Sequence, residues 1–202
     1  MADEEPDGRR ARRERNVALA LQATCDMFRD DTLVPSIEAV SRRTGLSIRS
    51  LYRYFPDVDA LISAAIEQSL IDGRRRAHIS GFGRGPFAER LDAFVGNRVR
   101  LYEAQAPQYR ATVHHAHTVP QLRDALDRSR RWLRDQVLGQ FAVELDALDK
   151  RERHLAAMTC DTISQFDSLD YLRTVRRCPV RETEAVVART IRTALGPPPP
   201  DR

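Results

Sequence analysis

The sequence predicts an all-α protein. Three observations carry this: apolar residues recur at helical spacing from Arg10 to Leu195, no segment sustains period-two alternation between turn residues, and prolines and glycines punctuate the periodic stretches.

Taken in order, the first helix is marked by Val17, Leu21, Thr24 and Phe28, at i, i+4, i+7 and i+11 on one face. Two short helices are expected between Ser36 and Phe55. After Pro56, Leu61, Ala65, Ile66 and Leu70 repeat the helical spacing. Gly81, Gly83 and Gly85 then interrupt the pattern, each glycine lowering helix stability by about 1 kcal/mol relative to alanine. Pro120 opens a long helix with Leu122, Leu126, Leu133 and Val137. A further stripe runs through Leu155, Thr159, Thr162, Phe166 and Leu169, and a last one through Val187, Thr190, Ile191 and Ala194. These breaks divide the chain into a disordered start over 1–8, a small helical domain over 9–73, a linker over 74–86, a larger helical domain over 87–196 and a disordered tail over 197–202. The GFGRG spacing within the linker invites a phosphate-loop reading, but no strand precedes it.

Composition narrows the function. The chain has 202 residues, 31% of them charged, and a net charge of +4, too small an excess for a general polyanion binder. The basic residues cluster at Arg9, Arg10, Arg12, Arg13 and Arg15, which form either an arm toward phosphates or a solvated terminus. Cys25, Cys160 and Cys178 show no zinc or disulfide spacing. The first residues lack the apolar stretch of a signal peptide and no run reaches membrane length, so a cytoplasmic protein without a membrane partner is expected.

The stretch SIEAVSRRTGLSIRSLYRYF, Ser36 to Phe55, is the most informative. Ser36 caps one helix and Ser47 the next, each by accepting backbone N–H bonds. Thr44-Gly45 ends the first, since glycine tolerates a left-handed turn, and Pro56 ends the second. Two short helices joined in this way make a helix-turn-helix. Leu51 and Phe55 share the inner face of the second helix. Arg49, Ser50, Tyr52, Arg53 and Tyr54 lie off it, with Ile48 as an apolar residue able to meet a thymine methyl. A generic surface helix would carry carboxylates, yet Ile48 to Phe55 has none.

With TGLS, SLYRYF and the following ALISAAI in place, the stretch from about Arg12 to Leu70 resembles the DNA-binding domain of the TetR family of bacterial regulators. The segment from Ser164 to Leu195 is similar to the C-terminal end of many members. The resemblance implies that Ser36, Ser47, Tyr52 and Tyr54 hold the DNA backbone, and that Ile48, Arg49, Ser50 and Arg53 read bases or neighbouring phosphates. Two positions depart from the family pattern. Val58, between Asp57 and Asp59, stands where many members have a lysine, and the loop from Asp30 to Pro35 lacks the usual glycine. Arg42, Arg43 and the Arg9–Arg15 arm are the cations available to compensate.

The same resemblance implies a homodimer formed through the last two long helices, about Lys150–Tyr171 and Arg181–Leu195, and an operator that is an inverted repeat. It also implies a small-molecule effector, with repression relieved by ligand as the common mode. Candidate lining residues are Phe94, Arg98, Tyr102, Tyr109, His114, His117, Trp132, Met158 and Phe166, for each of which singly ordinary core packing is the stronger reading. His114, His115 and His117 invite a metal reading, but no carboxylate or cysteine adjoins them in sequence, so no metal and no cofactor are expected. Cys160 as a redox sensor is disfavoured by the neighbouring Asp161.

An enzyme is not expected, because no GxSxG, HExxH or Cys/His arrangement occurs. A helical scaffold that does not bind DNA is the remaining alternative. The carboxylate-free face of the second short helix stands against it.

Overall fold

The structure, a computed structural model, describes residues 5–30 and 35–197. Among the described residues there are helices and no strands, as the periodicity predicts. In chain order these are α1 (Glu5–Asp30), α2 (Ile37–Thr44), α3 (Ile48–Tyr54), α4 (Val58–Arg76), α5 (Phe87–His115), α6 (Pro120–Gln140), α7 (Ala142–Asp146), α8 (Lys150–Ser164), α9 (Phe166–Asp170), a π-helical turn (Tyr171–Val175) and α10 (Val180–Leu195). None is long and apolar enough to cross a membrane.

The chain folds as two units, one of Met1–Asp72 with Pro107–Leu126, the other of Gly73–Ala106 with Asp127–Arg202. In the first, Ala20, Met27, Ile37, Val40, Leu51, Phe55 and Leu61 form one buried cluster, which brings α1, α2, α3 and α4 together. A second cluster joins Phe28, Ile62 and Ile66 to Ala116, Val119, Leu122 and Ala125. Residues 107–126 therefore pack with the N-terminal helices rather than with the rest of the segment expected over 87–196.

In the second unit Phe94 and Phe141 meet edge to face, their ring centres 5.2 Å apart, and Arg90 pairs with Glu144 beside them. Both charges are buried. The Arg90 guanidinium also reaches the carbonyls of Gly85 and Gln140, so its donors are shared among several acceptors.

Three expectations are corrected. Helix α1 begins at Glu5, inside the stretch expected to be disordered, so the Arg9–Arg15 run is helical; residues 1–4 and 198–202 lie outside the described residues. The helix expected over Lys150–Tyr171 breaks at Gln165, whose backbone is extended (φ −69°, ψ 152°). The break shifts the phase of the stripe: Ala156, Cys160 and Ser164 are the buried residues of α8, while Leu155, Thr159 and Thr162 are exposed. Finally, α5 ends at His115, so His117 lies beyond it.

Between α4 and α5 the glycine-rich segment is a loop. Gly81, Gly83 and Gly85 all have left-handed φ, from 68° to 91°. The Gly83 N–H donates to Gln140 Oε1 at 2.9 Å, and Phe82 lies so close over Gly139 that a Cβ there would sit 2.8 Å from the ring. The amide that a phosphate loop would present is thus spent on α6.

Candidate nucleic-acid interface

The turn between α2 and α3 is built by side chains as well as by glycine. Ser36 Oγ accepts the Ala39 N–H at 3.2 Å and starts α2. At the other end Gly45 takes a left-handed φ of 72°, and its N–H closes onto Ser41 O. Ser41 Oγ donates to Leu46 O at 2.6 Å, and Thr44 Oγ accepts the Leu46 N–H. The connection is therefore fixed at both sides of the glycine. Ser47 Oγ then accepts the Ser50 N–H at 3.2 Å and donates to Ser50 Oγ at 2.9 Å, starting α3.

One face of α3 is core and the other is open. Leu51 is fully buried and Phe55 nearly so. Ile48 and Tyr52 are 43% and 50% exposed, with Arg49 and Arg53 also exposed beside them. Leaving a large aliphatic and a phenol in water while adding two guanidiniums gives a surface with donors and apolar area but no carboxylate.

Ser50 is half-buried and engaged with Ser47. Tyr54 is half-buried too: its phenol oxygen accepts from Asn16 Nδ2 and from Arg53 Nη2, each at 3.2 Å. The Asn16 bond, with the Arg53 bond second, holds the Tyr54 phenol below its usual range. The Arg53 guanidinium also lies over the Tyr54 ring, 5.2 Å from its centre. Tyr54 thus ties α3 to α1 as well as bordering the open face.

Of the two departures noted in the sequence, residues 31–34 of the glycine-less loop lie outside the described residues, and the acid preceding Val58 has a local role. Asp57 Oδ1 accepts the Ala60 N–H at 2.7 Å, so this acid caps α4. Among the compensating cations, Arg43 is paired with Asp30 at 3.0 Å, and Arg29 holds the same carboxylate. These two arginines keep the Asp30 carboxyl below its usual range.

Solved structures share this fold, two of them over about 90% of this chain. One is a candidate transcriptional regulator from Pseudomonas aeruginosa PAO1, with a TM-score of 0.70 and 18% identity over 90% of this chain and 91% of that one. The other is a transcriptional regulator from Rhodococcus sp. Rha1, with a TM-score of 0.63 and 20% identity over 89% of this chain and 95% of that one. The likeness is one of fold. No family pattern and no curated protein matches the sequence.

The candidate lining residues separate. Phe94, Arg98, Tyr102 and Phe166 are all buried inside the second unit, in two contacting pairs. Arg98 lies over the Phe94 ring at 4.7 Å, Tyr102 meets Phe166 edge to face, and the Tyr102 hydroxyl donates to Asp170 at 2.7 Å. Trp132 is half-buried on the wall of a cleft of about 460 Å³ in the same unit. Met158 is exposed on α8. Tyr109, His114 and His117 fall in the first unit, where both histidines are exposed and His115 is the buried one, against Phe28. Among the described residues no cluster of His, Cys, Asp and Glu is placed to hold a metal.

Burial pushes the Cys160 thiol up to about 12, with Asp161 adding to it, and the Cys25 thiol up to about 11. Neither is a reactive thiolate. Sequence reasoning missed Phe82, Arg74 and Gln136, which line the cleft. Phe82 stood out only as part of the glycine cluster, and nothing local marks Gln136, whose role depends on a residue 38 positions away.

Proposed function

We propose that this chain is a homodimeric, sequence-specific DNA-binding transcriptional regulator of the TetR type, released from an inverted-repeat operator by a small-molecule effector. The observation that carries the reading is the open face of α3: Ile48, Arg49, Tyr52 and Arg53 exposed together on a capped helix behind a glycine turn. The fold shared with two proteins named as transcriptional regulators supports it.

Dimerisation is supported by the outer side of α8. Leu155, Met158, Thr159 and Thr162, at i, i+3, i+4 and i+7, are all exposed and make one apolar-to-neutral stripe. A second copy covering this stripe gives each dimer two α3 helices, and half-sites about one DNA turn apart (roughly 34–36 Å) follow from that symmetry. Effector binding then acts as a coupling free energy between two sites, reciprocal with operator binding.

The location of the interface is tested by photocrosslinking the full chain to a pool of random duplexes and mapping the joined peptides. Crosslinks concentrated between Ile48 and Tyr54 support the assignment. Crosslinks confined to other helices contradict it.

A further inference from the structure

The second unit holds two buried arginines on one helix, and they are compensated differently. Arg90 has a carboxylate, Glu144. Arg98, 1% exposed, has none: it donates to Ser164 O at 2.9 Å, Leu133 O at 3.1 Å and Gln136 Oε1 at 3.1 Å. Among the described residues no carboxylate comes within ion-pair distance of it, and Asp161 acts only from further away. Burial pulls the guanidinium down to about 9, so it is charged at neutral pH. A buried charge without a partner is costly, and Ser164 O, at the C-terminal end of α8, offsets part of that cost.

The one side chain among the acceptors opens onto space. Gln136 lines the cleft of about 460 Å³ together with Trp132, Phe82, Ile79 and Arg74, a size within the usual range for small-molecule sites. Its Nε2 donates to Ala77 O at 3.2 Å, so one amide bridges a lining carbonyl and the buried cation. Trp132 and Phe82 are the aromatic residues of the cleft's lining, which also includes Arg74 and His78. The lining carboxylate, Asp135, is paired with Arg134 at 3.5 Å.

We propose that this cleft binds a small carboxylic acid with an apolar body, whose carboxylate replaces the Gln136 amide oxygen on Arg98. The body packs between Trp132 and Phe82, and the acid supplies the counter-charge that Glu144 gives Arg90. As an assignment of the effector's chemical class, this rests on the regulator reading above; as a binding site, it does not.

Trp132 is the sole tryptophan, so its emission reports occupancy of the cleft without DNA. The probes are octanoate and 3-cyclohexylpropionate, against their uncharged amides, titrated into the full chain. The expected result is a saturable change with the acids and binding about tenfold or more weaker with the amides, since an unpaired buried charge favours the anion. Gln136→Ala removes the competing acceptor and tightens acid binding. Arg98→Met abolishes the preference for the acid. Should Arg98→Met not fold, Arg74→Gln decides: the acid preference survives it if Arg98 is the receptor. Equal binding of acid and amide, no saturable change up to about 10 mM, or a preference that disappears with Arg74→Gln overturns the proposal. Those outcomes leave the DNA reading standing, because no DNA is in the assay.

Discussion

Asn16 and Tyr54 are 38 residues apart in sequence and joined by a hydrogen bond of 3.2 Å between Nδ2 and the phenol oxygen. The bond fixes the last turn of α3 to the middle of α1, while Leu51 and Phe55 fix its inner face to the core. Tyr54→Phe removes the Asn16 and Arg53 bonds and keeps the ring. Each such bond contributes about 0.5–1.5 kcal/mol net, so urea denaturation should show a loss of unfolding free energy of that order. Asn16→Ala in the Tyr54→Phe background should then add little, a non-additivity that a double-mutant cycle measures.

Arg49 and Arg53 are exposed on α3 and meet DNA if the proposed function holds. Arg49→Ala and Arg53→Ala should each weaken binding while leaving the free energy of unfolding within about 0.5 kcal/mol of the parent's. Loss of a phosphate contact lowers the slope of log affinity against log salt by about 0.9 per chain. Loss of a base contact instead relaxes the sequence preference. Titrations at several salt concentrations separate the two.

Glu144→Gln leaves the buried Arg90 without its carboxylate. Removing one partner of such a pair costs about 3–5 kcal/mol, because the remaining charge stays out of water. Replacing both with methionine should recover much of the loss. Chemical denaturation of the single and double variants checks this.

The cysteines give a pH prediction. Cys25 and Cys160 have folded pKa values raised to about 11 and about 12 by burial, above the ordinary 9.0. A raised thiol pKa means the folded state holds the proton more tightly. This contribution is therefore present below pH 9 and is lost as pH rises through 9 toward 11 and 12. Stability should fall over that range, less steeply in Cys160→Ala. At pH 8 a thiol reagent should label the half-exposed Cys178 first, Cys25 with its raised pKa more slowly, and the buried Cys160 only on unfolding.

Much of the N-terminal unit was legible because its signals are local. Ser36, Gly45, Ser47 and Pro56 each act within a few residues, through capping, a left-handed turn or a missing N–H. The all-helical class was legible for the same reason. The break at Gln165 was not: it interrupts an apolar stripe that reads as continuous, and only the packing of Ala156, Cys160 and Ser164 shows which face is inside. Nor was the placement of 107–126, since Ala116, Val119, Leu122 and Ala125 are apolar enough for any helical core. The link from Arg98 through Gln136 to the cleft joins residues that no periodicity relates.

Whether α3 reads DNA sequence is decided by selection from a random duplex pool at near-physiological salt. The parent protein and the Arg49→Ala/Arg53→Ala variant are carried through in parallel. The parent is expected to enrich an inverted repeat with half-sites about one helical turn apart, roughly 34–36 Å, and the variant to lose or relax it. An unenriched pool from the folded parent, or the same motif recovered equally well by the variant, would contradict it.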